Sequence, residues 1–109
     1  MYIILWEYIV RAGLETEFER IYGSKGEWGL LFKQGEGYLG TDLLHDAEVS
    51  RRYVTIDRWI SSAAYAAFQE EYHAAYEAID ARCEHLTEYE SPIGAGDLSV
   101  PPSRKNYIA

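Results

Sequence analysis

Within TIDRWISSAAYAAFQEEYHAAY, residues 55–76, one histidine sits among tyrosines, tryptophan and alanines. His73 carries the one side-chain type whose ordinary pKa, near about 6.5, lets it take and return a proton at neutral pH. At about 100° per residue, Tyr65, Phe68, Tyr72, Tyr76, Ile79 and Cys83 form one stripe of a helix, and His73 falls at its edge. An edge position is half buried and half open, so His73 is the expected general base. Tyr72 beside it and Trp59 upstream combine an apolar ring with a polar tip, suited to stacking on or hydrogen-bonding a flat organic molecule. Phe68, Ile79 and Cys83 lack such a tip and are expected to be core.

Trp59 ends a second pattern. Tyr53, Thr55, Asp57 and Trp59 share one face of a strand, with Val54 and Ile56 on the other. A structural interior favours Val, Ile and Leu, whereas a small-molecule site is apolar with a few placed polar groups, as this first set is. Asp57 acts as an acid–base group if it is buried, because desolvation raises a carboxyl pKa; the alternative is pairing with Arg58 or Arg52 at the surface. On the first strand, Trp6 and Tyr8 complete the expected substrate contacts: Trp6, Tyr8, Asp57, Trp59 and Tyr72, with His73 catalytic.

Other chemistries find less support. His45 and His85 have Asp42, Asp46, Glu84 and Glu88 near them in sequence, but no two have metal-motif spacing, so no bound metal is expected. Ser61 and Ser62 precede an alanine run and read as helix caps, not as nucleophiles. Gly23, Gly26 and Gly29 follow a helix rather than a strand and read as turns, not as a phosphate loop. A net charge of −8 with scattered basic residues disfavours nucleic acid. With Cys83 as the sole cysteine, no intrachain disulfide is possible, and a reducing cytoplasm is the expected setting. YIILWEYIV is too short to cross a bilayer and reads as a buried strand, so no membrane partner is expected.

The positioning elements follow from periodicity. Residues 2–10 form a strand with apolar residues on both faces, and LETEFERIY an amphipathic helix. After the glycines, EWGLLFK makes a short apolar turn with Trp28, Leu31 and Phe32 on one side. Residues 38–46 and 51–60 are strands joined by AEVS into an antiparallel hairpin. A long helix runs from a Ser61 or Ser62 cap to about Asp80–Cys83, and CEHLTEYES supplies a last strand. The order β-α-β-β-α-β is that of a ferredoxin-like α+β fold with an antiparallel sheet, each helix crossing over to set its flanking strands side by side. Residues 1–91 form this domain, and residues 92–109 a tail that is loose or packed on a neighbouring subunit.

Helices on one side leave the other sheet face bare. Strand one would present either Tyr2, Ile4, Trp6 and Tyr8 or Ile3, Leu5 and Ile9 there, an apolar patch that a second copy of the same sheet would cover. A homodimer is expected, with two sheets facing each other to make an α+β barrel whose inside holds the ligand and receives the Asp57 face of strand three.

WEYIVRAGLETEFERIYG, GYLGTDLL and YVTIDRW followed by S-x-x-A-Y-x-x-F resemble the antibiotic biosynthesis monooxygenase family over residues 2–91. The resemblance implies a dimeric α+β barrel with one cavity per subunit between sheet and helices. It further implies oxygenation of a small aromatic or quinone-like molecule without metal, flavin or other cofactor. In that chemistry the protein helps deprotonate an electron-rich substrate, which itself reduces dioxygen, so a base and polar-tipped aromatics suffice. The alternative is a non-catalytic dimeric binding or stress-response protein of the same fold. A haem-degrading branch uses a first-strand asparagine, a helix tryptophan and a helix histidine. WEYIV has no asparagine, Phe68 occupies the tryptophan position, and only His73 corresponds.

Overall fold

The computed structural model describes residues 1–99. Its elements are β1 (Tyr2–Val10), α1 (Glu15–Tyr22), α2 (Glu27–Phe32), β2 (Tyr38–His45), β3 (Arg52–Trp59), α3 (Ser62–Cys83) and β4 (Thr87–Asp97), with a 3₁₀ turn at Glu84–Leu86. The strands form one antiparallel sheet in the order β2-β3-β1-β4, the ferredoxin-like arrangement. Each crossover spans a neighbour: β3 lies between β1 and β2, and β1 between β3 and β4. The flanking strands are therefore not side by side, because the β2–β3 hairpin inserts β3 next to β1.

Local chemistry explains the boundaries. The Ser61 side chain accepts a hydrogen bond from Ala64 N at 3.0 Å, capping α3, and the alanines behind it favour helix. At Gly26 a Cβ would collide with the Ile21 carbonyl oxygen, so the sharp elbow between α1 and α2 requires glycine. In the β2–β3 hairpin, Asp46 accepts from Glu48 N and Val49 N at 2.8 Å each and closes the turn.

β4 is longer than the sequence suggests. It pairs with β1 as far as Asp97 opposite Tyr2, so residues 92–97, expected as the start of a tail, belong to the sheet. Pro92 is tolerated because β4 is an edge strand, and the register shifts between Leu5 and Trp6 of its partner. Residues 100–109 of the expected tail lie outside the described residues.

Helices cover one sheet face. Ile4, Tyr8, Val10, Tyr53, Thr55 and Trp59 are buried there, together with Phe18, Trp28, Phe32, Phe68 and Leu86. Phe18 stacks on Tyr22 with ring centres 4.2 Å apart, and Phe32 meets Trp59 and Phe68 edge-on. Such contacts add about 0.5–1.5 kcal/mol per pair beyond area burial. The opposite face carries Ile3, Leu5, Ile9, Val54 and Ile56, all partly exposed, with Leu44 at 47%. Two ion-pair groups cross it: Arg52 with Glu7 and Asp46 at 2.8 and 3.0 Å, and Arg58 with Asp42 at 2.7 Å.

Candidate functional site

Between the sheet and the helices the packing is incomplete, leaving a cavity of about 230 Å³. Strand residues form one wall: Ile4, Trp6 and Tyr8 of β1, Thr41 of β2, Thr55 and Asp57 of β3, and Glu90 of β4. The opposite wall comes from helices, with Tyr22 of α1, Trp28 and Phe32 of α2, and Tyr65, Tyr76 and Asp80 of α3. An apolar cavity of about 150 Å³ holds benzene, so this one accommodates a molecule of one to two fused rings. Its ring-rich walls suit a flat occupant.

Asp57 is the group with chemistry. Strand alternation points it toward the helices, opposite Ile4 of β1 and Thr41 of β2. Burial pushes its carboxyl up to about 6, against the lowering effects of the Thr41 hydroxyl and, less, of the Arg58 charge. Thr41 Oγ1 donates to Asp57 Oδ1 at 2.6 Å and lies 2.6 Å from the Tyr38 hydroxyl. Having given its one proton to Asp57, Thr41 accepts from Tyr38, which fixes a chain Tyr38→Thr41→Asp57. Arg58 and Arg52 are held on the opposite face by Asp42, Glu7 and Asp46, so the surface-pairing alternative for Asp57 does not occur.

Phenols surround this carboxyl. Tyr8 OH lies 3.2 Å from Thr55 Oγ1, and burial, with added repulsion from Asp57, Glu90 and Tyr76, raises its pKa. Burial likewise raises Tyr65 and Tyr76, each further raised by the Asp57 charge among others. At neutral pH they are therefore hydrogen-bond donors, not anions. Glu90 is raised by burial and then by Asp80 and Glu84. Among the described residues, no Lys, Arg or His lines the cavity.

The expected site residues divide. Trp6, Tyr8 and Asp57 line the cavity. Trp59 does not: it is fully buried, hemmed in by Phe32, Tyr38, Tyr65 and Phe68 with ring centres 5.1–6.0 Å away. Tyr72 occupies a break in α3 (φ −110°, ψ 20°), stacks on Phe68, and donates to Gln34 O at 3.3 Å instead of reaching the cavity. His73 is on the solvent side, its side chain 64% exposed and Nε2 3.0 Å from Glu77 one turn along. Its position at the stripe's edge opens to water, not to an enclosed space. The cavity also lies under the helices of one chain and not between two facing sheets, because the Asp57 face of β3 turns inward and not toward the outer sheet surface.

Sequence reasoning missed Asp80, Glu90, Thr41 and Trp28. Asp80 had a signal, four residues after Tyr76 on the same helical side. Glu90 and Thr41 had none without strand register, which sets Glu90 opposite Tyr8 and Thr41 opposite Asp57. Trp28 reaches Tyr76 edge-on at 4.9 Å through the α1–α2 elbow, and no acceptor meets its indole N–H, although Tyr22 and Cys83 lie beside it. Among the described residues, no three His, Cys, Asp or Glu side chains converge as metal ligands, and no helix is long and apolar enough to cross a membrane.

A four-stranded antiparallel sheet with helices on one face and a ring-lined cavity beneath them defines a ferredoxin-like α+β fold. This chain belongs to the antibiotic biosynthesis monooxygenase family, whose model matches residues 1–78. Members of the family are commonly dimeric. Among solved structures, a variant of SnoaB, a cofactor-independent oxygenase from Streptomyces nogalater, is 17% identical with a TM-score of 0.71, covering 92% of this chain and 94% of that one. A NIPSNAP domain protein from Burkholderia xenovorans is 19% identical with a TM-score of 0.65, covering 94% of this chain and 100% of its own. A mutant of MhuD with two manganese protoporphyrin IX bound per active site is 20% identical with a TM-score of 0.66, covering 94% and 99%. At these identities the likeness establishes the fold. Among curated proteins, none matches the sequence.

Proposed function

We propose that this protein is a homodimeric oxygenase that acts, without a cofactor, on a small phenolic or quinone-forming aromatic, with Asp57 as its general base. The observation that carries the reading is a partly buried carboxyl of raised pKa in a ring-lined cavity sized for one to two rings. Asp57 takes the phenolic proton, and the electron-rich phenolate passes electrons to dioxygen until a carbon–oxygen bond forms at the para carbon. The peroxide takes the proton back from Asp57. Loss of the para C–H proton with cleavage of the O–O bond then releases water and leaves a quinone, so phenol plus O₂ gives quinone plus H₂O. Tyr8, Tyr65 and Tyr76, held protonated, donate hydrogen bonds to the developing oxyanion.

The proton role expected of His73 passes to Asp57, because His73 faces solvent against Glu77. The same placement leaves haem without a histidine ligand, since no histidine lines the cavity. The bare sheet face, with Ile3, Leu5, Val54 and Ile56, is the surface a second copy would cover, which sedimentation at micromolar concentration tests. Oxygen uptake with naphthols and hydroquinones tests the chemistry. Asp57→Asn should lower turnover by about 100-fold or more. Uptake that survives the substitution removes Asp57 from the mechanism. Binding with no uptake by any of these compounds leaves a non-catalytic binding protein.

A further inference from the structure

The charge of the cavity is one-sided among the described residues. Asp57, Asp80 and Glu90 line it, and no described cationic side chain does. Several carboxylates elsewhere on the molecule are paired: Glu7 and Asp46 with Arg52, Asp42 with Arg58, Glu88 with Arg51, Glu27 with Arg82. Asp80 and Glu90 are both exposed to solvent where they line it, and partial burial, then the Asp80 and Glu84 charges, raise Glu90. Around these acids stand the ring faces of Trp6, Trp28, Tyr65 and Tyr76. Trp28 adds a ring to this wall, while its indole N–H is closed to the cavity and lies beside Tyr22 and Cys83.

From this juxtaposition we infer that the natural occupant is an aromatic ammonium compound, its rings against Trp6, Trp28, Tyr65 and Tyr76 and its positive amine held by Asp80 and Glu90. The inference rests on the oxygenase reading only for the location of the site. Rings and carboxylates together recognise an organic cation through its charge and through cation–π attraction. A metal ion is not matched, because no three acidic, His or Cys groups converge on one point. An anionic aromatic such as a carboxylate would enter a field of its own sign with no cation to meet it. The amine also helps the proposed reaction. Asp57 must generate a phenolate beside two other acids, and a fixed positive charge on the same molecule stabilises that phenolate while the proton rests on Asp57.

The test compares three probes of equal size: 5-(aminomethyl)-1-naphthol, 5-(hydroxymethyl)-1-naphthol and 5-hydroxy-1-naphthoate, titrated calorimetrically at pH 7.5. The ammonium probe should bind at least about tenfold more tightly than the neutral one, with the carboxylate weakest; tenfold is a modest expectation for a partly desolvated charge pair. Asp80→Asn with Glu90→Gln should cut the ammonium preference to less than about threefold while the neutral probe keeps its affinity. In the unaltered protein, raising salt should weaken the ammonium probe alone. Equal or tighter binding of the carboxylate, or an ammonium preference that persists in the double variant, overturns the inference, as does failure of all three to bind. The two proposals fail separately. Oxygen uptake that depends on Asp57 but ignores probe charge leaves the oxygenase reading standing alone; ammonium preference without uptake leaves an organic-cation site and removes the oxygenase.

Discussion

Asp57 and Trp59 are next-but-one neighbours on β3 and share its inward face, yet one borders a cavity and the other is sealed. Trp59 has Phe32, Tyr38, Tyr65 and Phe68 around it and no exposure at all. Asp57 has Thr41 as its hydrogen-bond donor, and open space beyond. Strand alternation assigns a face, but depth along that face depends on which helical side chains descend onto it. Gly35 marks the sealed end: a Cβ there would sit 2.8 Å from Phe68 and 3.0 Å from Trp59, so the chain after α2 closes down on these rings. At the other end the helices contribute Tyr76 and Asp80, whose polar tips leave room.

The sealed end should respond through stability. Trp59→Ala removes a wholly buried indole, and a loss of about 3–5 kcal/mol in chemical denaturation is expected. A loss below about 1 kcal/mol would show that the space around Trp59 is not packed and would erase the contrast with Asp57.

The open end should respond in the opposite direction. An acid whose folded pKa is raised, here from 3.8 to about 6, binds its proton more tightly when folded. Its ionisation therefore weakens the fold as pH rises from about 4 to above 6, and the whole cost is present at pH 8. A shift of this size corresponds to at most roughly 3 kcal/mol, at about 1.36 kcal/mol per unit. Asp57→Asn should thus be more stable than the parent by about 1–3 kcal/mol at pH 8, with the gain fading toward pH 4. Denaturation midpoints across that range check it, and a gain that does not vary with pH would contradict a buried, ionising Asp57. Combined with the expected loss of turnover, this is stability exchanged for function at one residue.

How much of this was legible in the sequence follows the same divide. Period-two patterns in YIILWEYIV and RYVTIDRW, and the helical spacing of Phe68, Ile79 and Cys83, identified strands, helix and core directly, because burial of a whole face leaves its mark on every second or third to fourth residue. The same alternation groups Trp6 with Tyr8 and Asp57 with Trp59, but leaves open which face turns to the helices, and the structure turns both pairs there. The rest of the site depends on pairing across elements. Thr41 matters because β2 registers against Asp57, and Glu90 because β4 registers against Tyr8, and neither register is written in either segment alone. His73 and Tyr72 misled for a physical reason. A helical wheel treats α3 as one cylinder, whereas its backbone breaks at Tyr72 and redirects that ring onto Phe68 and its hydroxyl to Gln34.

A smaller effect is expected at Thr41, which touches Asp57 without shaping the cavity wall as an acid. Its hydrogen bond favours the charged carboxylate and so lowers the Asp57 pKa. Thr41→Val removes that bond, and Asp57 should titrate at higher pH. With a typical net value of about 1 kcal/mol per hydrogen bond, the acidic limb of kcat/KM should move upward by less than about one unit. At pH 8, where the base is ionised in both proteins, rates should stay close to the parent's. A limb that stays in place would mean that a group other than Asp57 sets it.

The smallest change is expected at His73, and it is the sharpest check on which side of α3 does the chemistry. His73 and Glu77 form an i,i+4 pair with both side chains about two-thirds exposed, at 64% and 67%. Pairs of this kind contribute about 0.3–0.5 kcal/mol in water and less in salt. Alanine, moreover, is the better helix former, which offsets part of the loss. His73→Ala should therefore alter stability by less than about 0.5 kcal/mol and oxygen uptake by less than twofold, with no change in the pH profile. Any collapse of activity in this variant would require the imidazole to reach the cavity, either by rearrangement of α3 beyond its break at Tyr72 or from a second copy of the chain, and would return the base to where spacing alone had placed it.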